Sequence, residues 1–374
     1  MQGLLRGKLA TDADLIGHLD SCLLCRACEQ KCPSGVPYGQ LMDTVRQQLS
    51  SDGQRRRPWT TRLLMRLFAV GPVALGRLHQ ILYLYQWSGL ARLTRGLAYF
   101  GLRGLKHLHR ILPRQIEPPA KAIRLYPADT KVAVKGKVSL FTGCASRLFD
   151  QEAQRASLFL LNRLGYVVSV PQGQVCCGAL HQHEGQPQQA QQLAAQNISS
   201  FARSSGERIL SIASGCSSHL ATYPELLNGE SNRFASQVED ITAFLATAEW
   251  PEPYYFAPLE EKVVVHEACL QRNVLKQSAA TYQLLSKIPE LLPEALDGNE
   301  FCCGAAGSYM LSQPETAMNL LQPKLEAATR QHASLLVTTN IGCALHIQAG
   351  LRERGEVIEV MHPVTLLARQ LRTA

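Results

Sequence analysis

The sequence predicts an α/β protein in which a short helical module is followed by two duplicated α/β cysteine-rich domains related by a pseudo-twofold axis. Strand-like and helix-like segments alternate from Lys131 onward, as is typical of α/β folds. Twelve cysteines fall into one tight run and two widely spaced sets, and the two sets recur at nearly equal intervals. The predicted parts are a cysteine-run module, a basic helical connector and two cysteine-rich repeats, at 1–50, 51–130, 131–255 and 256–374.

Composition narrows the class of protein. The chain has 374 residues, of which 46% are apolar and 18% charged, so it is globular rather than disordered. The first nine residues lack the apolar region of a secretory signal, and no window of about 18 uninterrupted apolar residues predicts an ordinary transmembrane helix. We therefore expect a cytoplasmic protein, whose reduced cysteines are better explained as metal ligands than as disulfides.

The tight run is Cys22, Cys25, Cys28 and Cys32, followed by Pro33. This is the bacterial ferredoxin spacing for a [4Fe–4S] cubane, whereas structural zinc sites usually take pairs of ligands from separated knuckles. In two-cluster ferredoxins the fourth cysteine ligates the other cluster, and this chain has one such run. We therefore expect either a first motif upstream of Met1, which would add a second cubane, or a ligand from outside the chain.

The connector is strongly basic. Twelve Lys or Arg residues and one acid lie between Ser51 and Ile116, giving +11 there and leaving −3 of the formal +8 for the rest. Leucines at rough helical spacing predict amphipathic helices, with the basic residues between them: Arg62, Arg66, Arg77, Arg92, Arg95, Arg103, Lys106 and Arg110. The basic face is either solvated or meets anionic lipid or an acidic partner. Nucleic acid is disfavoured, because no base-reading motif accompanies the charge.

The third part contains six strand candidates, at 138–142, 167–170, 209–212, 263–265, 335–338 and 357–360. Helices are predicted between them at 151–164, 188–204, 275–287 and 314–332. The last of these has Ser312 and Glu315 at the positions of a capping box.

The cysteines of the third part occur twice in the same order. In the first copy Cys144 precedes Cys176, Cys177 and Gly178 by 32 residues, and Cys216 follows Cys176 by 40. The second copy has steps of 33 and 41 residues and consists of Cys269, Cys302, Cys303 and Cys343. Since the outer cysteines follow predicted parallel strands, which end at one edge of a sheet, the thiolates should converge. Buried apolar cysteines would not reproduce this spacing twice, so each set is predicted to ligate an iron–sulfur cluster or zinc.

The segment from Cys22 to Tyr38, together with the two Cys-Cys-Gly repeats, resembles the iron–sulfur subunit of bacterial glycolate oxidase. The repeats are similar to cysteine-rich domains of heterodisulfide reductase and of lactate-utilisation and anaerobic glycerol-3-phosphate dehydrogenase subunits. The resemblance implies an electron-transfer subunit beside FAD-containing subunits that oxidise glycolate to glyoxylate. It also implies electrons passing to membrane quinone, and we expect the protein at the inner face of the cytoplasmic membrane.

Other functions stay open. The chain is alternatively a subunit of a lactate or glycerol-3-phosphate dehydrogenase complex, a heterodisulfide-reductase-like catalytic subunit, or a regulatory metal-binding protein. No Gly-rich Rossmann fingerprint predicts a flavin or nicotinamide site, and no catalytic residue is assigned on this chain.

The chain departs from the resemblance at two histidines. Related cysteine-rich domains that hold a noncubane [4Fe–4S] cluster typically end in Cys-x-x-Cys, whereas this chain has His219 and His346 at the last position. Each is either a helix-start residue, which we favour, or a nitrogen ligand. Several further residues near the cysteines are expected to be ordinary loop residues, with tuning of a cluster as the alternative: His181, His183, Glu184, His266 and Glu267.

Overall fold

A computed structural model describes residues 1–9, 11–55, 57–69, 71–99, 109–113, 115–118, 123–202, 207–227, 229 and 231–373, with the backbone alone at 95–99. Arg103, Lys106 and the side chain of Arg95 lie outside the described parts, as does the predicted helix end beyond residue 202.

The N-terminal module consists of four helices, α1 (Gln2–Leu5), α2 (Ala13–Asp20), α3 (Ala27–Lys31) and α4 (Tyr38–Ser51). Asp12 begins α2, where its carboxylate accepts a hydrogen bond from the backbone N–H of Leu15 at 2.8 Å. The helices share a small apolar core made of Leu4, Leu19, Leu24, Met42, Val45 and Leu49.

The connector forms α5 (Trp59–Ala69), α6 (Pro72–Trp87) and α7 (Leu90–Tyr99). Inward-facing Met65 and Leu75 are buried, and Leu75 joins the core of the first repeat. The outward faces keep large apolar side chains exposed: Trp59, Leu63, Val73, Ile81, Leu84, Trp87, Leu90 and Leu93. Among the described helices none is by itself long and apolar enough to cross a membrane, whereas α5 and α6 meet that test as a pair that is bent by 120°.

The first repeat is built on a five-stranded sheet of order β1-β3-β2-β4-β5, parallel except for β1. Its strands are β1 (Leu125–Tyr126), β2 (Gly136–Phe141), β3 (Tyr166–Ser169), β4 (Arg208–Ser211) and β5 (Val238–Asp240). Its helices are α8 (Ala145–Phe149), α9 (Gln151–Arg163), α10 (Ala179–His183), α11 (Pro187–Phe201), α12 (Ser214–Ala221), α13 (Tyr223–Leu226), α14 (Asn232–Gln237) and α15 (Ile241–Ala246).

The second repeat has a parallel sheet of order β10-β9-β7-β8 and a separate antiparallel pair, β6 with β11. The strands are β6 (Tyr254–Phe256), β7 (Val263–Val265), β8 (Glu294–Ala295), β9 (Leu335–Val337), β10 (Glu359–Met361) and β11 (Leu371–Thr373). A π-helix (Gln271–Leu275) precedes five α-helices, α16 (Ser278–Leu285), α17 (Tyr309–Ser312), α18 (Pro314–Arg330), α19 (Ile341–Arg354) and α20 (Pro363–Gln370).

The structure confirms the predicted α/β duplication. The order β3-β2-β4-β5 of the first repeat recurs as β8-β7-β9-β10 in the second. Local hydrogen bonds recur with it: the side-chain oxygen of Gln174 accepts from the backbone N–H of Thr142 at 2.8 Å, and that of Asn299 accepts from Glu267 at 3.0 Å. Each bond ties the end of the first parallel strand to the loop that carries the Cys-Cys-Gly sequence.

Helices from the two repeats pack reciprocally. Helix α9, which follows β2 of the first repeat, contacts α20, which follows β10 of the second. Equivalently, α16, which follows β7 of the second repeat, contacts α15, which follows β5 of the first. This exchange of equivalent partners is the pattern of an interface with twofold symmetry. A shared apolar core fills it, and His362 adds a hydrogen bond from its Nε2 to the carbonyl of Ile212 at 2.9 Å.

Two local predictions are wrong. No capping box begins α18: the helix starts after Gln313, and the hydroxyl of Ser312 donates instead to the carbonyl of Tyr309. The last of the six predicted strands, β10, begins at Glu359 rather than at residue 357, and Val357 lies before the sheet with 95% of its surface exposed.

Candidate metal centres

A cavity of about 670 Å³ lies between the N-terminal module, the connector and both repeats. Nine of the twelve cysteines line it, namely Cys22, Cys144, Cys176, Cys177, Cys216, Cys269, Cys302, Cys303 and Cys343. The fold therefore brings the two spaced sets and the first cysteine of the tight run to one place.

The first-repeat set is a connected group of thiols. The Sγ atoms of Cys144 and Cys176 are 3.4 Å apart, and the thiol of Cys177 bonds those of Cys176 and Cys216. Hydrogen bonds from Cys144 and Cys177 hold the pKa of Cys176 well below its usual value. Hydrogen bonding and burial raise the pKa of Cys144 and of Cys177 well above it. A metal ion bound here would replace the protons of these thiols.

The second-repeat set has the same connectivity. Hydrogen bonds link Cys269 to Cys302, Cys302 to Cys303 and Cys303 to Cys343. The hydrogen bond with Cys302 and burial raise the pKa of Cys269 well above its usual value. A ring nitrogen of His266 joins the group, since this atom and the Sγ atoms of Cys303 and Cys343 all lie within 4.8 Å of one another.

A glycine with left-handed backbone follows each vicinal cysteine pair. Gly178 has φ +95° and Gly304 has φ +86°, a region that residues with a Cβ rarely adopt. A Cβ at Gly178 would lie 3.2 Å from the carbonyl oxygen of Ala190, and one at Gly304 would lie 2.7 Å from that of Ala317. The third residue of Cys-Cys-Gly therefore lets the loop approach the following helix closely.

We expect Gly304→Ala to lower the free energy of unfolding by about 3 kcal/mol, from left-handed strain and from overpacking against α18. Gly178→Ala should cost less, because its Cβ has more room. Anaerobic denaturant titration measures both. Gly298→Ala is the control, since its φ is +77° but nothing lies within 4 Å of the added Cβ. Equal losses for Gly304→Ala and Gly298→Ala would contradict the packing argument.

The cysteine run forms an irregular loop between α2 and α3. Leu24 and Arg26 have positive φ, 52° and 58°, which costs about 1–3 kcal/mol each for residues other than glycine. Such turns point backbone N–H groups into a concave nest that suits an anionic cluster. Arg46 of α4 holds the loop in place, because its Nη2 donates to the carbonyl of Cys22 at 2.8 Å.

The loop of the cysteine run lies against the second repeat. Asn273 donates from Nδ2 to the carbonyl of Cys25 at 2.7 Å. Burial raises the pKa of Cys25, and the nearby thiols of Cys269 and Cys22 raise it further. A cluster held by this run would therefore have the second-repeat set as a neighbour, whereas Cys28 is exposed at the surface.

Glu184 has a structural role that sequence reasoning missed. Its carboxylate accepts a hydrogen bond from the hydroxyl of Ser308 at 2.6 Å and pairs with Arg55 at 3.0 Å and with Arg57 at 3.6 Å. It therefore joins the first repeat to the second repeat and to the segment before the connector helices. Its neighbour His183 pairs with Asp43 of α4 at 3.0 Å, so this loop fastens the N-terminal module.

His219 and His346, which each follow the last cysteine of a repeat by three residues, differ in the hydrogen bonding of Nε2. Nε2 of His346 hydrogen-bonds the carbonyl of Ala317 at 3.1 Å, which occupies that nitrogen. His219 is buried and its Nε2 has no hydrogen-bond partner among the described residues. Burial and the neighbouring His183 lower the pKa of His219 to about 3, so its imidazole is neutral. Ligation by either histidine stays a prediction. Of the two, His219 has the Nε2 atom that is available to a metal.

These donors fit an iron–sulfur cluster or zinc. Thiolate and neutral imidazole select those metals, whereas magnesium and calcium prefer carboxylate and carbonyl oxygens. Each repeat would hold its metal through its own four cysteines, and the run from Cys22 to Cys32 would hold a cubane. The buried, unpartnered nitrogen of His219 is a further donor that fits such a group.

Comparison with known proteins agrees with this geometry. The family model described as "Cysteine-rich domain" matches residues 138–221 and 263–348. The chain is 30% identical over 370 residues to the probable glycolate oxidase iron-sulfur subunit of Bacillus subtilis (strain 168), covering 95% of this chain and 82% of that protein. It is 28% identical over 344 residues to the glycolate oxidase iron-sulfur subunit of Escherichia coli (strain K12), covering 90% and 79%. Lactate utilization protein A of Halalkalibacterium halodurans is 26% identical over 243 residues, covering 63% of this chain and 98% of that protein.

Proposed function

Since the chain belongs to the family of the glycolate oxidase iron-sulfur subunits, we propose that it is the iron–sulfur electron-transfer subunit of a flavin-dependent glycolate oxidase. An FAD-containing partner oxidises glycolate to glyoxylate, and this chain passes the electrons to a membrane quinone. The observation that carries the proposal is the meeting of both spaced thiol sets and the first cysteine of the run, Cys22, around one cavity.

Different parts of the chain contribute to different steps of the proposed electron transfer. When bound, iron–sulfur clusters supply one-electron transfer. The run at Cys22 to Cys32 lies near the surface through Cys28, which suits electron entry from a partner. Asn273 holds that loop against the second repeat. Of the eight repeat cysteines beyond it, six are buried and two, Cys216 and Cys269, are half-buried.

The apolar side of the cavity suits a lipid-soluble acceptor. Leu64 and Leu67 of α5 line it together with Leu78 and Leu82 of α6. Leu63 lines it as well and is 42% exposed, so the apolar wall reaches the surface there. Clefts with apolar walls and a few polar groups are the usual binding sites of such molecules. These contacts support quinone as the acceptor.

The outer faces of the connector helices support attachment to a membrane surface. On α6 the exposed positions Val73, Arg77, Ile81, Leu84 and Trp87 recur at helical spacing, so the outer stripe is apolar with one cation. Helices of this type lie in the headgroup region, and each Lys or Arg near an anionic leaflet adds about 1 kcal/mol. We therefore propose a peripheral position on the inner face of the cytoplasmic membrane.

Replacing Ile81, Leu84 and Trp87 together by glutamine should lower binding to vesicles containing anionic phosphatidylglycerol by more than about tenfold, because three apolar side chains no longer leave water. Co-sedimentation of the full metal-loaded chain measures this. The matched control replaces Leu292 and Phe301, which are 84% and 69% exposed in the second repeat, by glutamine. Unchanged binding of the triple variant would contradict the membrane face.

The function is tested on the chain co-expressed with an FAD-containing partner under anaerobic conditions. Adding glycolate should reduce the clusters, seen by EPR, and drive reduction of a short-chain quinone. A complex whose clusters stay oxidised with glycolate would overturn the proposal. A lactate dehydrogenase complex is the second candidate, since lactate utilization proteins match 63% of the chain, and cluster reduction by lactate but not glycolate would select it.

A further inference from the structure

The duplicated halves differ at a position beside the metal ligands. Three residues before the first cysteine of each set, the first repeat has Phe141 and the second has His266. Both side chains are buried, at the end of β2 and directly after β7. Phe141 packs in the core of its own repeat, with its ring centroid 6.1 Å from that of Phe201.

His266 is oriented as a metal ligand would be. Its Nδ1 is hydrogen-bonded to the hydroxyl of Thr338 at 2.9 Å, which leaves Nε2 as the nitrogen available to a metal. Ligating histidines usually have their other ring nitrogen fixed in this way. A ring nitrogen of His266 and the Sγ atoms of Cys303 and Cys343 lie within 4.8 Å of one another, close enough to bind one ion.

The electrostatic surroundings also differ between the repeats. At the same position on the helix after each Cys-Cys-Gly loop, the first repeat has Asn197 and the second has Lys324. Asn197 donates to the carbonyl of Cys176 at 2.9 Å. Lys324 is 3% exposed and its ammonium donates to the carbonyl of Gly298 at 2.9 Å, near the thiols of the second set.

We propose that His266 is a nitrogen ligand, through Nε2, of the metal centre in the second repeat. This inference rests on the proposal that the repeats hold metal and is independent of the substrate that the partner oxidises. The centre is then chemically distinct from that of the first repeat, which has Phe141 at the matching position. Ligation by an uncharged histidine raises the reduction potential of an iron–sulfur centre above that of a centre held by cysteine thiolates alone, and the nearby Lys324 acts in the same direction.

The test compares the wild-type complex with His266→Ala by pulsed EPR, which detects the hyperfine coupling of ligating nitrogen. The wild type should show imidazole coupling that His266→Ala loses. The matched control His346→Ala, which removes a buried histidine bonded to the carbonyl of Ala317, should retain it. His266→Cys should restore metal content without the coupling and shift the potential downwards. Where metal analysis finds zinc in the repeat, X-ray absorption at the zinc edge should show the same loss of one nitrogen.

Labelling with ¹⁵N-histidine tests the wild type without any variant. The coupling should change to that of ¹⁵N, and a spectrum insensitive to the label would overturn the inference. Coupling that persists when His219 and His266 are both replaced by alanine, or that disappears in His346→Ala, would overturn it too. A wild type without metal beyond the Cys22 to Cys32 run would overturn the underlying proposal of metal in the repeats, a result recognisable from metal analysis alone.

Discussion

A Cys25→Ser variant, assembled with the proposed FAD-containing partner, should lose glycolate-driven quinone reduction by more than about 100-fold, because residues that merely orient a metal ligand already contribute 10–100-fold. Cys25 is a central ligand of the predicted cubane and lies beside Cys269 of the second repeat. Removing its thiolate removes the cluster and the folding energy that metal binding supplies to the strained loop. Quinone reduction and the EPR signal of the cubane measure the loss.

Reduction of an artificial dye by the partner should persist in Cys25→Ser, because the partner's flavin acts before the cluster. Ser34→Ala is the control, since Ser34 is an exposed residue that follows the same run. A Cys25→Ser complex with an intact cubane signal and wild-type quinone reduction would show that the run does not carry the electrons.

Glu184→Ala should lower the free energy of unfolding by about 3–5 kcal/mol, the usual cost of removing one partner of a buried ion pair. Glu184 is 8% exposed, and its carboxylate compensates the charges of Arg55 and Arg57 while it accepts a hydrogen bond from Ser308. Without it the two guanidinium groups have less negative charge beside them, and the hydrogen bond between the repeats is lost. Anaerobic denaturant titration of the metal-loaded chain measures the change.

Glu184→Gln should give an intermediate loss, because its amide oxygen keeps the bond to Ser308 but not the charge. Glu260→Ala removes an exposed carboxylate and should change the stability by less than about 0.5 kcal/mol. If Glu184→Ala and Glu260→Ala destabilise the chain equally, Glu184 does not join the parts of the fold.

The grouping of the cysteines could be predicted from the sequence because their spacing along the chain is itself the signal. Short gaps around Cys25 place the thiols of one loop together, and the two equal sets predict equal halves. The strands preceding Cys144 and Cys269 follow from short runs that are mostly apolar, and the structure has both. Cysteine spacing and short strand segments depend on residues that are close along the chain, so both can be recognised in the sequence alone.

The roles of Glu184 and His266 depend on contacts that the sequence does not display. Ser308 is 124 residues from Glu184 along the chain, and Thr338 is 72 residues from His266. Each side chain resembles an ordinary loop residue until the fold brings its partner to it. A position-by-position alignment of the two copies does contain one usable signal, because the sequence by itself sets His266 against Phe141.

The reciprocal packing of helices between the repeats has an evolutionary consequence. A half-sized ancestor with these faces would have covered them by pairing with an identical copy, so every substitution would have appeared at both centres at once. Fusion into one polypeptide makes each half separately mutable. The chain could then acquire an imidazole at His266 and a cation at Lys324 on one side, while Phe141 and Asn197 occupy the matching places on the other. Once the two identical halves are joined in one chain, a single ancestral gene can therefore give rise to two centres with different properties.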